Sequence, residues 1–295
     1  MNAPIRWPAE AVWEAVSPLL PGFTVEVLPT IDSTNTELMR RARAGTLSPT
    51  LLVALSQTAG RGRRGKAWVS APGDSLTFSL GLPMAPVDWS GLSLAVGVSL
   101  ADSLHPEVRL KWPNDLWWHG RKLGGILVET ANPGATQGTG RCAVVGVGLN
   151  LATPVLPELP AAAMPAMPPA GLRECLPGLD AGALLLRVLP ALARDLQAFE
   201  ALGFEAFAQR FLAEDAGGNA TPGAAQAVQR PDAQHIVDLP AVLRGGEHHH
   251  EQQAGHGTDH QGAQRVHQVR AGAHGHQAGQ RAVVHEARVV LAGDE

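Results

Sequence analysis

The chain changes character near residue 215, and that break limits what can fold. All seven tryptophans and all six phenylalanines of the 295 residues precede residue 212, and every lysine (Lys66, Lys111, Lys122) precedes residue 123. From residue 216 onward Ala, Gly, His and Gln dominate, with ten of the twelve histidines and no Trp, Tyr, Phe, Met or Cys. A segment so poor in large apolar side chains cannot offset the entropy of ordering itself. One folded unit is therefore expected over 1–215, followed by an atypical low-complexity tail over 216–295.

Within the first part, hydrophobic residues suffice for a core (45% of the whole chain), while a net charge near −4 argues against generic nucleic-acid binding. Two cysteines, Cys142 and Cys175, are too few for a disulfide framework and point to a reducing compartment. Cys142 lies in an apolar run and reads as a small buried residue. The first ten residues show no signal-peptide pattern, and the most apolar stretch, 183–193, is short and broken by Arg187 and Pro190. A cytoplasmic protein without membrane contact is expected.

Periodicity predicts helices over 8–16, 36–44, 91–104, 183–199 and 204–215, the second capped by Asp32-Ser33-Thr34-Asn35. Strands are expected over 23–28 (an edge strand), 51–55, 75–80, 108–111, 122–129 and 142–149, with a Pro/Ala-rich surface connection over 154–177. Early strands followed by later helices imply an α+β fold, a mixed β-sheet backed by helices.

The chemistry concentrates in four strings. Gly60-Arg61-Gly62-Arg63-Arg64-Gly65-Lys66 packs four cations among three glycines. Glycine lets backbone approach a ligand, and guanidinium forks match phosphate oxygens, so the loop suits a phosphate-bearing anion. Asp32-Ser33-Thr34-Asn35 offers hydroxyls and an amide at a helix start. Lys111-Trp112-Pro113-Asn114-Asp115 joins a Pro turn to a carboxylate, and Lys122-Leu123-Gly124-Gly125-Ile126 places a lysine before a glycine pair. Taken singly, these strings are also compatible with a solvated basic loop, an N-cap, a turn and an exposed lysine.

In this order, together with Gln57-Thr58-Ala59 before the basic loop, Trp68 after it, Glu129 after the glycine pair and Gly146-Val147-Gly148-Leu149-Asn150, the strings resemble the catalytic domain of the biotin–protein ligases. The resemblance runs from about residue 24 to 215. It implies a two-step ligation: biotin and Mg-ATP give biotinyl-5′-AMP and pyrophosphate, and a lysine of a biotin carboxyl carrier domain then takes the biotinyl group. By the same resemblance Ser33, Thr34, Asn35, Gln57, Gly62 and Gly125 would hold biotin. Arg61, Arg63 and Lys66 would clamp carboxylate and phosphates, with Arg63 and Lys122 catalytic and Lys122 bridging carboxylate and α-phosphate. Arg64, Lys66, Trp68, Lys111, Asn114, Asp115 and Asn150 would meet the nucleotide, Asp115 also lying near Mg²⁺. The basic loop is expected to be disordered until it folds over the adenylate.

Two departures accompany the resemblance. Some relatives carry an N-terminal DNA-binding helix-turn-helix; about 30 residues precede Asp32 here, so no nucleic-acid partner is expected. The family's small C-terminal β-barrel has no counterpart in 216–295. Out-of-frame translation, a natural disordered tail and a metal-binding segment on His248, His249, His250, His256 and His260 remain open readings of that tail. So do a homodimer, a lipoate or octanoyl ligase of the same superfamily, and a biotin-binding protein impaired in transfer.

Overall fold

Alternation along two long strands decides which face of the sheet is core and which is free. In a computed structural model, which describes residues 7–132, 140–155 and 168–214, those strands are β3 (Ser75–Met84) and β7 (Arg141–Asn150), paired antiparallel along ten residues each. Leu76, Phe78, Leu80 and Leu82 of β3 and Ala143, Val145, Val147 and Leu149 of β7 face one way into the main core. Thr77, Ser79, Gly146 and Gly148 face the other way, because successive strand residues point to opposite faces.

Around this pair stand β1 (Thr24–Ile31), β2 (Thr50–Gln57), β4 (Val108–Lys111), β5 (Asp115–Trp118) and β6 (Arg121–Ala131). The seven-stranded order is β1-β2-β3-β7-β6-β5-β4, with β1 parallel to β2 and every other pairing antiparallel. The expected α+β mixed sheet is thus present, with β1 at the edge. Helices α1 (Ala9–Val16), α3 (Leu92–Leu104) and α4 (Ala181–Leu202) pack on the Leu76/Val147 face. α3 is buried around most of its circumference, as befits a helix enclosed between the sheet and α4. Asp180 caps α4 by accepting from Ala183 N at 2.7 Å, and the helix runs on through Pro190.

One helix covers part of the opposite face. α2 (Thr34–Arg43) packs Leu38, Met39 and Ala42 against Leu52, Val144 and Cys142, leaving the glycine end of the sheet uncovered. Cys142 is buried, as its apolar run implied. Glu37 in the first turn and Arg40, Arg41 and Arg43 in the last complement the helix dipole. Arg41 also pairs bidentately with Glu26 of β1, at 2.7 and 2.9 Å.

Three elements differ from the sequence reading. The turn ending at Asp115 continues into β5, four residues that pair β4 with β6. The expected helix over 204–215 divides into a 3-10 turn, Phe204–Phe207, and α5 (Ala208–Glu214). The Pro/Ala-rich connection is only partly a surface feature: Ala170 and Leu172 are fully buried, and Pro169 bridges to Lys122. No helix of the described residues is long and apolar enough to cross a membrane. The tail over 216–295, with its histidines and its three readings, lies outside the described residues.

Candidate active site

The uncovered face forms a cavity of about 400 Å³, floored by glycines and roofed by the basic loop. Its floor follows from strand register. Gly148 stands between Gly125 of β6 and Thr77 of β3, and Gly146 stands between Leu127 and Ser79. Two large groups fill the room left by those missing side chains. A Cβ on Gly146 would stand 2.1 Å from Asn35 Oδ1, and one on Gly148 would stand 2.3 Å from the Trp68 ring. Distances under 3.0 Å leave no space for a methyl, so the floor must be glycine.

At the start of α2, Ser33 is the N-cap and accepts from Thr36 N at 3.4 Å. Thr34 donates its backbone N–H (2.8 Å) and its hydroxyl (3.2 Å) to Gln57 Oε1. Ser79, fully buried, donates to Asn35 Oδ1 at 2.6 Å and lies 2.7 Å from Thr34 Oγ1. This interlocked set makes a small polar corner with fixed rotamers, suited to a neutral polar head group.

The other end is cationic. Lys122 Nζ donates to Asp115 Oδ1 at 2.8 Å, the two residues being brought together by the β5–β6 pairing. Gly125 adjoins them: a Cβ there would lie in ordinary contact, 3.6 Å from Lys122 Nζ and 3.9 Å from Asp115 Oδ1. Lys122's backbone is held from the side, its N–H donating to Pro168 O (2.9 Å) and its carbonyl accepting from Ala170 N (2.8 Å). Asn150 Nδ2 completes the clamp with bonds to Lys122 O (3.4 Å) and Ala170 O (3.1 Å). Beyond it, Glu174 accepts from Arg121 Nη1 (3.1 Å), Gly171 N (3.1 Å) and Thr153 Oγ1, which hold its carboxyl down at about 2.

The basic loop is a closed hairpin in this structure. Trp68 N donates to Gly60 O (2.9 Å), Arg61 bridges Ala67, and Gly62 N donates to Lys66 O (2.7 Å). Arg64 (φ 56°) and Gly65 (φ 70°) turn the tip. Backbone pairing offsets the like charges, and so does an ion pair: Arg61 Nη2 lies 2.7 Å from Glu129 Oε2. Five cations line the cavity (Arg61, Arg63, Arg64, Lys66, Lys122). With Arg61 on Glu129 and Lys122 on Asp115, the remaining three make no ion pair among the described residues.

Of the expected residues, Ser33, Thr34, Asn35, Gln57, Arg61, Gly62, Arg63, Arg64, Lys66, Trp68, Asn114, Asp115, Lys122 and Gly125 gather around this one cavity. Lys111 and Asn150 are not part of its lining. Lys111 Nζ stands 4.0 Å over the Trp117 ring instead, and Asn150 sits behind Lys122 as a backbone clamp. Asn35 lines the cavity with its amide already engaged by Leu127 O (3.2 Å) and Glu129 (3.0 Å). Thr77 and Ser79 escaped the sequence reading; three hydroxyls spaced by two (Ser75, Thr77, Ser79) along one face of an otherwise apolar strand were their only signal. Among the described residues no three His, Cys, Asp or Glu side chains cluster to hold a metal ion, so Asp115 has no partners for a resident metal.

The site is thus a glycine-floored trench on a mixed sheet with a cationic hairpin above it, open to a ligand with a polar head and an anionic end. The chain belongs to the biotin/lipoate A/B protein ligase family, whose signature spans residues 27–150. It is 33% identical over 201 residues to the biotin–[acetyl-CoA-carboxylase] ligase of Paracoccus denitrificans, covering 64% of this chain and 80% of that protein. It is 45% identical over 142 residues to the bifunctional ligase/repressor BirA of Escherichia coli, covering 45% of this chain and 42% of that protein. The match to the Mycobacterium tuberculosis ligase (38% identity, 43% of this chain) likewise spans 49% of the relative's length. The fold resembles the biotin protein ligase of Aquifex aeolicus solved with biotin and ATP, at 28% identity, TM-score 0.50, and coverage of 65% of this chain and 78% of that one.

Proposed function

We propose that the protein is an ATP-dependent biotin–protein ligase. One observation carries this reading: Lys122 Nζ, fixed by Asp115 beside Gly125, lies in the same cavity as the Thr34–Gln57 polar corner and three cations without an ion-pair partner among the described residues. A biotin head group fits the corner, its ureido ring meeting hydroxyl and amide groups, while its tail runs past Gly125 toward Lys122. ATP enters as Mg-ATP, the ion arriving on the phosphates. Trp68 offers a ring face to the nucleotide, and Arg63, Arg64 and Lys66 face its phosphates.

In the first step a biotin carboxylate oxygen attacks the α-phosphorus, the bond to the bridging oxygen breaks, and pyrophosphate leaves. Two anions must approach one another, so positioned positive charge is the main requirement. Lys122 Nζ supplies it at the junction of carboxylate and α-phosphate. In the second step an acceptor lysine amine attacks the acyl carbon of biotinyl-5′-AMP, AMP leaves, and the amine loses a proton. The hairpin roof excludes water from the anhydride meanwhile.

The catalytic unit is assigned to residues 1–215, with a cytoplasmic biotin carboxyl carrier domain as acceptor. The test is biotin-dependent ATP–pyrophosphate exchange, followed by transfer of labelled biotin to a carrier domain, with lipoate and octanoate as competing acids. Exchange and transfer with biotin support the reading. Exchange with lipoate or octanoate alone would assign the other branch of the family, and binding without transfer would leave a biotin-binding protein.

A further inference from the structure

Glu129 is a carboxylate that the proposed chemistry leaves unused. It accepts from Arg61 Nη2 with both oxygens, at 2.9 and 2.7 Å, and from Asn35 Nδ2 at 3.0 Å. One side chain of β6 therefore ties the first cation of the basic hairpin to the start of α2. Asn35 is itself immobile, buried, bonded to Leu127 O and Ser79, and packed where a Gly146 side chain would be. Arg63, Arg64 and Lys66 pair with no carboxylate among the described residues. Glu129 is thus the anionic anchor of the hairpin among the described residues, and the rest of its closure is backbone bonding at Gly60–Trp68, Arg61–Ala67 and Gly62–Lys66 with the Trp68 indole bonded to Thr77 at its base.

We infer that Glu129 is a latch: by holding Arg61 it keeps the basic hairpin shut over the cavity and so retains the acyl-adenylate. Arg61 is accordingly a hinge post of the roof more than a ligand clamp. Retention of an adenylate rests on the ligase reading; the closed hairpin does not. Replacing the carboxylate by an amide removes the charge that offsets four clustered cations, and the backbone bonds and the Trp68–Thr77 contact then oppose their repulsion without it. Glu129 is a positioning residue, since its partners are Arg61 and Asn35.

Two readouts on the full chain test this. Trypsin cleaves after arginine and lysine, so nicking within 61–66, followed by mass spectrometry under native conditions, reports hairpin opening without any ligand. Glu129→Gln is expected to raise that nicking roughly two- to fivefold, the scale set by loss of a partly exposed ion pair. Arg61→Gln, which removes the other half of the pair, gives the same increase at the sites all variants share (Arg63, Arg64 and Lys66) and covers the case in which Glu129→Gln folds poorly. In the second readout, Glu129→Gln raises biotin-dependent AMP release without acceptor by about the same factor, while the kcat of pyrophosphate exchange stays near wild type. Wild-type nicking rates in both variants would overturn the latch. Faster nicking with unchanged AMP release overturns its role in retention. A wild-type protein with no biotin-dependent exchange refutes the ligase reading instead, and nicking alone then decides the latch.

Discussion

Trp68 occupies the space that a side chain at position 148 would need: a Cβ on Gly148 would stand 2.3 Å from Cε2 and 2.4 Å from Cζ2 of the indole. The ring is also tied to β3 by its Nε1–H, which donates to Thr77 Oγ1 at 3.2 Å. Gly148→Ala must therefore push the indole off the floor. If Trp68 stacks on the adenylate, the loss is of order 1–3 kcal/mol, a rise of roughly 5- to 150-fold in the KM for ATP. Steady-state pyrophosphate exchange measures it, and an unchanged KM removes Trp68 from the nucleotide site.

Lys122→Ala is expected to lower biotin-dependent pyrophosphate exchange by roughly 10²–10³-fold, the effect of removing a preorganised charge at a developing anion (about 2.7–4 kcal/mol). Lys122 is held through its backbone by Pro168, Ala170 and Asn150, so truncating the side chain leaves the strand in place. Thermal unfolding should shift little. Exchange at the wild-type rate would exclude Lys122 from the first step.

Glu174 supplies a pH signature for the segment that clamps Lys122. Its folded carboxyl titrates at about 2, below the ordinary 4.5, because hydrogen bonds from Arg121, Thr153 and Gly171 favour the charged form. A depressed folded value means that the carboxylate stabilises the fold above pH 4.5 and that this stabilisation is lost as pH falls toward 2. The difference in melting temperature between wild type and Glu174→Gln should be constant above about pH 5 and shrink below it. A difference that persists undiminished at pH 2.5 would rule out the charged form as its source.

α5 closes the described fold. It buries Phe211, and Arg210 pairs with Asp195 at 3.0 Å and with Asp102 at 2.6 Å, joining α5 to α4 and α3. A chain ended after residue 214 is expected to unfold cooperatively, with a midpoint within a few degrees of the full-length protein, a shift of about 1 kcal/mol or less. Loss of cooperative unfolding would show that the core extends past α5.

Most of the site was legible because its chemistry sits in short, glycine-punctuated strings. Gln57, the 60–66 hairpin, Trp68 and Lys122 combine residue types that a generic loop has no reason to assemble. β5 was hidden because Asp115-Leu116-Trp117-Trp118 is too short to show a period and follows a Pro-Asn turn. Thr77 and Ser79 look like ordinary strand hydroxyls until the register puts them beside glycines. Lys111 shares a charged, aromatic string with Asp115, yet strand pairing sends it to Trp117. The clamp on Lys122 comes from a segment more than forty residues away with no periodicity, and only tertiary structure shows that pairing.

The pairing of Thr77 with Gly148 and of Ser79 with Gly146 has a consequence for how such a site can diverge. Each pair shares one slot of fixed volume with a third residue, Trp68 in the first case and Asn35 in the second. Neither slot accepts extra atoms from one contributor unless another gives them up. Across relatives these positions should therefore vary as triplets of conserved total size, and single exchanges within a triplet should be far more damaging than their compensated combinations.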